Sequence, residues 1–232
     1  MPSLDTNGIE TYYEVHGAGP PVLLVAGLGG AGTYWREQVA PFARAHTVIV
    51  YDQRGTGRSS HVPVASIAEL AGDALALLEA LKIERTHFVG HSTGGAIGQV
   101  LALDRPERLQ SLVLYASVHR SDPFRRRMWS LRKAVLAEMG AKAYAQLTSL
   151  VLYPPAWIAA NDTRLASEEA IAERMLSDPS IMASRIDAIL AHDRADELAR
   201  IRAPTLVLCA RDDAMTPAYF SEDIAARIPK AE

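Results

Sequence analysis

The sequence has 232 residues, 49% of them hydrophobic, and a formal net charge of -3. That is enough apolar material for one large α/β domain or a domain with an insertion, and so small a charge makes no electrostatic case for nucleic acid or an anionic membrane. Cys209 is the single cysteine, which excludes a disulfide framework and a cysteine-rich metal site. The opening MPSLDTNG lacks the build of a signal peptide, and the longest apolar stretch, near 22–28, is far short of the roughly 20 residues of a membrane span. A soluble cytoplasmic protein is expected.

Residues 8–17 (GIETYYEVHG) alternate as a strand does and end at glycine. Residues 22–26 (VLLVA) are wholly apolar, as in a strand buried on both faces, and a helix is expected over 33–43. Residues 47–52 (TVIVYD) repeat the buried-strand pattern, and QRGTGRSS reads as a loop. From Ser66 apolar residues recur at helical spacing, with Ser66 and Glu69 placed as a capping box. Residues 86–90 (THFVG) predict a strand, followed by a sharp turn, a helix to about Asp104 and a strand over 109–115. This alternation predicts an α/β fold, a mainly parallel sheet with helices on both faces.

The texture changes at His119. From there to Arg200 no strand candidate occurs; the stretch is helical and charge-rich, broken at Pro154, Pro155 and Pro179. Such an insertion behaves like a cap over a site. Residues 203–213 (APTLVLCARDD) return to the buried-strand pattern, and a last helix starts near Ala218. The predicted organisation is a core over 1–118, a helical cap over 119–200 and a return to the core over 201–232.

Gly90-His91-Ser92-Thr93-Gly94 fits G-x-S-x-G, with a strand before it and a helix after it. A tight strand-to-helix turn strains residue 92, and glycines two positions away on either side let backbone approach closely. The hydroxyl then stands at the carboxyl end of the sheet, beside the positive end of a helix. A serine there can also be a plain helix N-cap; the strand–turn–helix setting favours a nucleophile. A serine nucleophile needs a base, an orienting acid and oxyanion donors. Asp212 and Asp213 end the last strand at the same sheet edge, and one of them should serve the turn before Pro217. The backbone amides of Leu28 and Thr93 are the expected oxyanion donors, each contributing roughly 2.7–4 kcal/mol.

A competing pattern overlaps the first glycines. Residues 27–32 (GLGGAG) fit G-x-G-x-x-G, with Asp52 at the end of the next strand, which is the dinucleotide-binding fingerprint. That reading leaves GHSTGG and RDDAMTP without a role. A hydrolase-like fold that only binds its ligand is a third class. No histidine pair has metal-ligand spacing, and no cofactor is implied. Tyr34, His119, Tyr153 and Trp157 are the candidate pocket residues, whereas Trp35 is expected in the core. Arg120, Arg125, Arg126 and Arg127 read as a solvated helix face, from which one arginine could meet a substrate carboxylate.

GLGG at 27–30, YDQRGTGRS at 51–59, GHSTGG at 90–95 and RDDAMTP at 211–217 together resemble the α/β-hydrolase superfamily. The resemblance implies that Asp52 and Arg54 shape the fold beside the site and that Asp213, four residues before the proline, is the acid. GLGGAGTYW, LYPPAWIAA and AHDRADELARIRAPTLVLCARDD are similar to the aminoacrylate (carbamate) hydrolases of pyrimidine utilisation, with 3-oxoadipate enol-lactonases as near relatives. This implies hydrolysis of a small enamine acid or carbamate, with an enol-lactone or simple ester as the alternative, and is compatible with a homodimer. The family carries its histidine on a loop one strand after the acid. All seven histidines here, at 16, 46, 61, 87, 91, 119 and 192, precede Asp213. The expectation is that the family's last strand, histidine loop and closing helix lie beyond Glu232, leaving 205–210 as an exposed, apolar sheet edge.

Overall fold

The computed structural model describes residues 2–176 and 178–232. Its strands are β1 (Ser3–Thr6), β2 (Ile9–His16), β3 (Pro21–Val25), β4 (Thr47–Tyr51), β5 (Thr86–His91), β6 (Leu109–Tyr115) and β7 (Thr205–Leu208). They form one sheet in the order β1-β2-β4-β3-β5-β6-β7. The apolar strands β4, β3, β5, β6 and β7 pair in parallel, and β1 and β2 add an antiparallel edge. Sequence periodicity does not reveal β1, which is only four residues long. Asn7 and Gly8, at φ 52° and 77°, make the two-residue turn that returns it onto β2.

The helix expected over 33–43 is two pieces, a 3-10 turn at Gly32–Trp35 and α1 at Arg36–Phe42. The Asp52 carboxylate accepts from the Gly32 amide at 2.8 Å and fixes where the turn begins. In α2 (Ile67–Ala80) the Ser66 hydroxyl accepts from the Glu69 amide at 3.1 Å, as expected. Glu69 does not close the box on Ser66: it accepts from the Ala65 amide at 2.7 Å while its other oxygen takes Arg54 at 2.5 Å. α3 (Thr93–Asp104) follows the turn after β5 and is buried along nearly its whole length, which suits its run of Gly and Ala.

The stretch after β6 is helical. α4 (Pro123–Leu152) bends at Gly140, at φ 82°, and is followed by α5 (Pro155–Ala160), α6 (Asp162–Met175) and α7 (Pro179–Ala191). Its two ends meet at the sheet: the Arg194 amide donates to the His119 carbonyl at 3.0 Å, and Arg120 bridges to Asp193. A 3-10 turn at Ala195–Arg200 then packs on α3 and on α8 (Ala218–Arg227).

Two apolar layers flank the sheet. The larger joins Leu23, Val25, Ile49, Phe88, Leu112 and Leu114 to α2, α3 and α8. The smaller joins Val22, Leu24, Val48 and Val50 to Trp35 and α1, so Trp35 is core, as expected. Among the described residues, no helix covers this second face over β6 and β7: Tyr115, Leu206 and Leu208 are 36%, 38% and 45% exposed. The expectation of helices on both faces therefore holds for β3 and β4, and the α1 side is open beyond them. The free edge of β7 is in turn less bare than expected. The Val207 amide donates to the Glu232 carbonyl at 2.8 Å and the Glu232 amide to the Thr205 carbonyl at 3.1 Å. Among the described residues, no helix is long and apolar enough to cross a membrane.

Candidate active site

Ser92 sits between β5 and α3 at φ 52°, ψ -115°, a left-handed conformation that an L-residue adopts only under constraint. Gly90 and Gly94 supply the constraint. A Cβ on Gly90 would run into the Gly94 carbonyl, and one on Gly94 into the Val25 carbonyl. The Ser92 amide donates to the Tyr115 carbonyl at 2.8 Å, and its carbonyl accepts from Gly95 at 2.9 Å and from the Ser117 hydroxyl at 2.9 Å. Its own hydroxyl caps nothing. The backbone is thus over-determined while the Oγ stays free, which is the opposite of an N-cap serine.

The loop after β3 faces this turn. Among the described residues, neither the Leu28 amide nor the Thr93 amide donates to a protein acceptor. The Leu28 carbonyl, in contrast, is held at 2.8 Å by Arg185 Nε from α7. Arg185 also donates to the Arg54 carbonyl at 2.7 Å and to Gln53 Oε1 at 2.5 Å. Gln53 in turn donates to the Ala26 carbonyl at 2.8 Å. The cap therefore clamps the loop that carries the Leu28 amide. Nothing in the sequence around Arg185 announces this role.

Asp213 lies in the turn between β7 and α8. Its Oδ1 accepts from the Met215 and Thr216 amides at 2.8 and 2.7 Å, and its Oδ2 from the Thr216 hydroxyl at 2.7 Å. Asp212 is exposed. Asp213 is therefore itself the turn aspartate, and its carboxylate keeps lone pairs for a further donor. Its charge reaches three other groups, His91, Tyr34 and Arg125.

Seven histidines surround or avoid this place. His91 stacks on Tyr34 at 4.6 Å and lies 5.1 Å from the Tyr115 ring; burial pushes it down to about 4 against the opposing pull of Asp213. It is a neutral wall at neutral pH. His16, His61 and His87 bond to Glu14, the Gly57 carbonyl and Ser111, and His46 packs on Phe42. His119, expected to line the pocket, instead turns to α8, with Nε2 2.9 Å from Asp223 and its ring against Phe220. It is 1% exposed, with Asp223 and Phe220 of α8 packed against it. Among the described residues no histidine nitrogen bonds to Ser92 or Asp213.

A family profile described as the alpha/beta hydrolase fold matches residues 20–178. The chain belongs to the α/β-hydrolase fold family. It is 44% identical, over all 232 residues and 88% of the relative's length, to a protein named "Putative carbamate hydrolase RutD" from Azorhizobium caulinodans. Among solved structures it is similar to a hydrolase from Pseudomonas aeruginosa PA01, at 32% identity and TM-score 0.90, covering 99% of this chain and 87% of that one. It is also similar to the enol-lactonase from Burkholderia xenovorans LB400, at 28% identity and TM-score 0.91, covering 100% and 89%.

In this α/β-hydrolase fold the dinucleotide alternative disappears. Asp52, which would meet a ribose, is 2% exposed and engaged by Gly32 and by the Arg58 amide at 2.9 Å. Arg54 makes a two-pronged pair with Asp73 at 2.5 and 2.6 Å, which ties the loop to α2. Tyr34 is 46% exposed and stands at the site, where burial of its hydroxyl, then Tyr115, Tyr153 and Asp213, hold the phenol protonated. Tyr153 stacks on Trp157 at 4.3 Å inside the cap, and Trp157 in turn faces Arg164 at 5.7 Å. Tyr153 acts on the Tyr34 phenol through its charge, and Trp157 packs between Tyr153 and Arg164. The basic run splits: Arg126 and Arg127 are exposed as expected, but Arg125 is 1% exposed. Helical phase places it on the face opposite its neighbours.

Proposed function

We propose that this protein hydrolyses a small acyl, enamine or carbamate substrate through Ser92. The observation that carries the reading is the free Ser92 hydroxyl, held in a strained turn beside two amides, those of Leu28 and Thr93, without acceptors. Ser92 Oγ adds to the substrate carbonyl carbon and gives its proton to a histidine, whose imidazolium Asp213 orients and stabilises. The carbonyl oxygen takes up the negative charge and accepts from Leu28 and Thr93. The tetrahedral centre collapses, the leaving group departs with the proton from the histidine, and water releases the acyl group by the reverse sequence. No cofactor enters.

The histidine of this reading is none of the seven, because among the described residues no histidine nitrogen bonds to Ser92 or Asp213. The RutD relative's name favours a carbamate, and the sequence resemblance adds the related aminoacrylate of pyrimidine degradation. The likeness to the enol-lactonase makes an enol-lactone the second reading. The partner is a small molecule met in the cytoplasm.

Intact mass before and after a fluorophosphonate probe tests the nucleophile. One adduct, lost in Ser92→Ala, is the expected result for protein that includes the histidine. An adduct that survives Ser92→Ala, or none on such protein, overturns the reading.

A further inference from the structure

Ala116 follows β6 at φ 48°, although it carries a Cβ, and it is buried. Like Ser92 after β5, it holds a left-handed conformation that such a residue adopts only where its neighbours impose it. The Ala116 amide donates to the Leu208 carbonyl at 2.7 Å, beside the bond from the Ser92 amide to the Tyr115 carbonyl. In a regular strand residues 115 and 117 would share a face. Tyr115 meets the His91 ring on the α1 side of the sheet. The left-handed step at Ala116 sends Ser117 to the other side, against α3. There Ser117 is fully buried, and a Cβ on Gly95 would run into its Oγ. The last glycine of GHSTGG therefore makes room for a hydroxyl from the neighbouring strand.

The Ser117 hydroxyl donates to the Ser92 carbonyl at 2.9 Å. A hydroxyl has one proton to give, and what it accepts helps to set the direction of that proton. Gln99 Nε2, from α3, donates to the Val118 carbonyl at 3.1 Å and reaches Ser117 Oγ at 3.5 Å, which leaves the Ser117 proton for Ser92. The Ser92 carbonyl belongs to the same planar peptide unit as the Thr93 amide, and in a trans peptide the two point in opposite directions. A grip on one end therefore aims the other. The remaining donors to this carbonyl, the Gly95 and Ala96 amides at 2.9 and 3.3 Å, lie on α3 and move with it. Ser117 instead ties the peptide to the sheet, from which the loop carrying Leu28 also departs, after β3.

We propose that Ser117 is a positioning residue: by holding the Ser92 carbonyl it aims the Thr93 amide at the place where the substrate's oxyanion forms. The inference rests on the reading of Ser92 as the nucleophile and of Thr93 as an oxyanion donor. Two amides from different strand ends, those of Leu28 and Thr93, must converge on one oxygen. Hydrogen bonds weaken steeply with misalignment, so a peptide free to tilt loses much of what its donor contributes. Ser117 is buried beneath the turn and acts only through Thr93. Ala116, Ser117 and Gln99 thus brace the turn from outside the G-x-S-x-G segment.

Ser117→Ala removes the donor, and two measurements on the folded variant read the result. The first is the residual dipolar coupling of the Thr93 amide N–H, which reports its direction and needs no chemistry at Ser92. It is expected to change while the couplings along β5 hold; an unchanged Thr93 coupling overturns the proposal. The second is fluorophosphonate labelling of protein that includes the histidine. The maximal rate constant is expected to fall about tenfold or more, with the half-saturating probe concentration within about twofold of wild type, because only the transition state uses the amide. An unchanged rate constant, or a loss confined to half-saturation, overturns the proposal. Should Ser117→Ala fail to fold, Ser117→Cys, which keeps the size and weakens the donor, is read by the same two measurements with the same outcomes. A changed Thr93 coupling, in protein whose wild type takes no adduct, sinks the nucleophile and leaves Ser117 as the residue that sets the Thr93 amide.

Discussion

Arg185 in the cap and Leu28 in the core are 157 positions apart, yet Arg185 Nε donates to the Leu28 carbonyl at 2.8 Å. The bond fixes the Leu28–Gly29 peptide, the unit next to the one that carries the Leu28 amide. Because Arg185 is 1% exposed and feeds three oxygens, its removal strands buried acceptors in the loop. Arg185→Leu is expected to lower stability by about 3 kcal/mol. Fluorophosphonate labelling of Ser92 should slow well beyond the change in folded fraction. Urea unfolding and the labelling rate check the two parts separately; unchanged labelling in folded variant would show that the clamp does not set the Leu28 amide.

Ser92 carries backbone strain that glycine does not feel. Ser92→Gly is therefore expected to raise stability by about 1 kcal/mol, while Ser92→Ala, which keeps the Cβ, leaves it within about 0.5 kcal/mol of wild type. Both lose the adduct. Urea midpoints of the three proteins are the measurement, and a Ser92→Gly protein no more stable than Ser92→Ala would mean that the turn is not strained in solution.

Asp213→Asn keeps an acceptor oxygen for the Met215 and Thr216 amides and removes the charge. In protein that turns over substrate, the change is expected to reduce kcat by on the order of 10⁴ while the fold survives. Steady-state kinetics beside a melting curve separate the effects. Near-normal turnover removes Asp213 from the proposed mechanism.

His192 is 7% exposed, and burial, with help from Arg194, pushes it down to about 4 from its ordinary 6.5, against the pull of Asp193. Above pH 6.5 the imidazole is neutral whether the chain is folded or unfolded, and it contributes no pH dependence. Between 6.5 and 4 the unfolded chain binds the proton and the folded chain does not. Stability is therefore lost as pH falls through this window, by about 3 kcal/mol for this one group, and levels off below it. His91, pushed equally low, adds to the loss in the same direction. Urea unfolding at pH 7, 5.5 and 4.5 should show the decline, and His192→Leu should make it shallower; an unchanged slope would remove His192 as a source.

Much of the frame is legible along the chain. The buried strands, the turn at Ser92, the N-cap at Ser66 and the helical stretch after β6 all appear where period and turn chemistry put them, because each is decided by contacts within a few residues. The places where expectation and structure part are those where a distant partner intervenes. Glu69 leaves its capping box because Arg54 competes for it. His119 leaves the pocket because α8 brings Asp223 to it. The helix near Tyr34 breaks because Asp52 pins Gly32.

By itself, then, the amino-acid sequence determined the parallel α/β core, the strained serine between a strand and a helix, and an acid at the neighbouring strand end. These follow from side-chain period and from backbone geometry that only certain residues tolerate. The tertiary structure alone decided which of two adjacent aspartates holds the loop, which arginine of a basic run is buried, and which carbonyl a cap arginine grips. Identical side chains a residue apart differ there only in what the folded chain places against them. Desolvation and hydrogen-bond completion depend on surroundings assembled from the whole length of the chain.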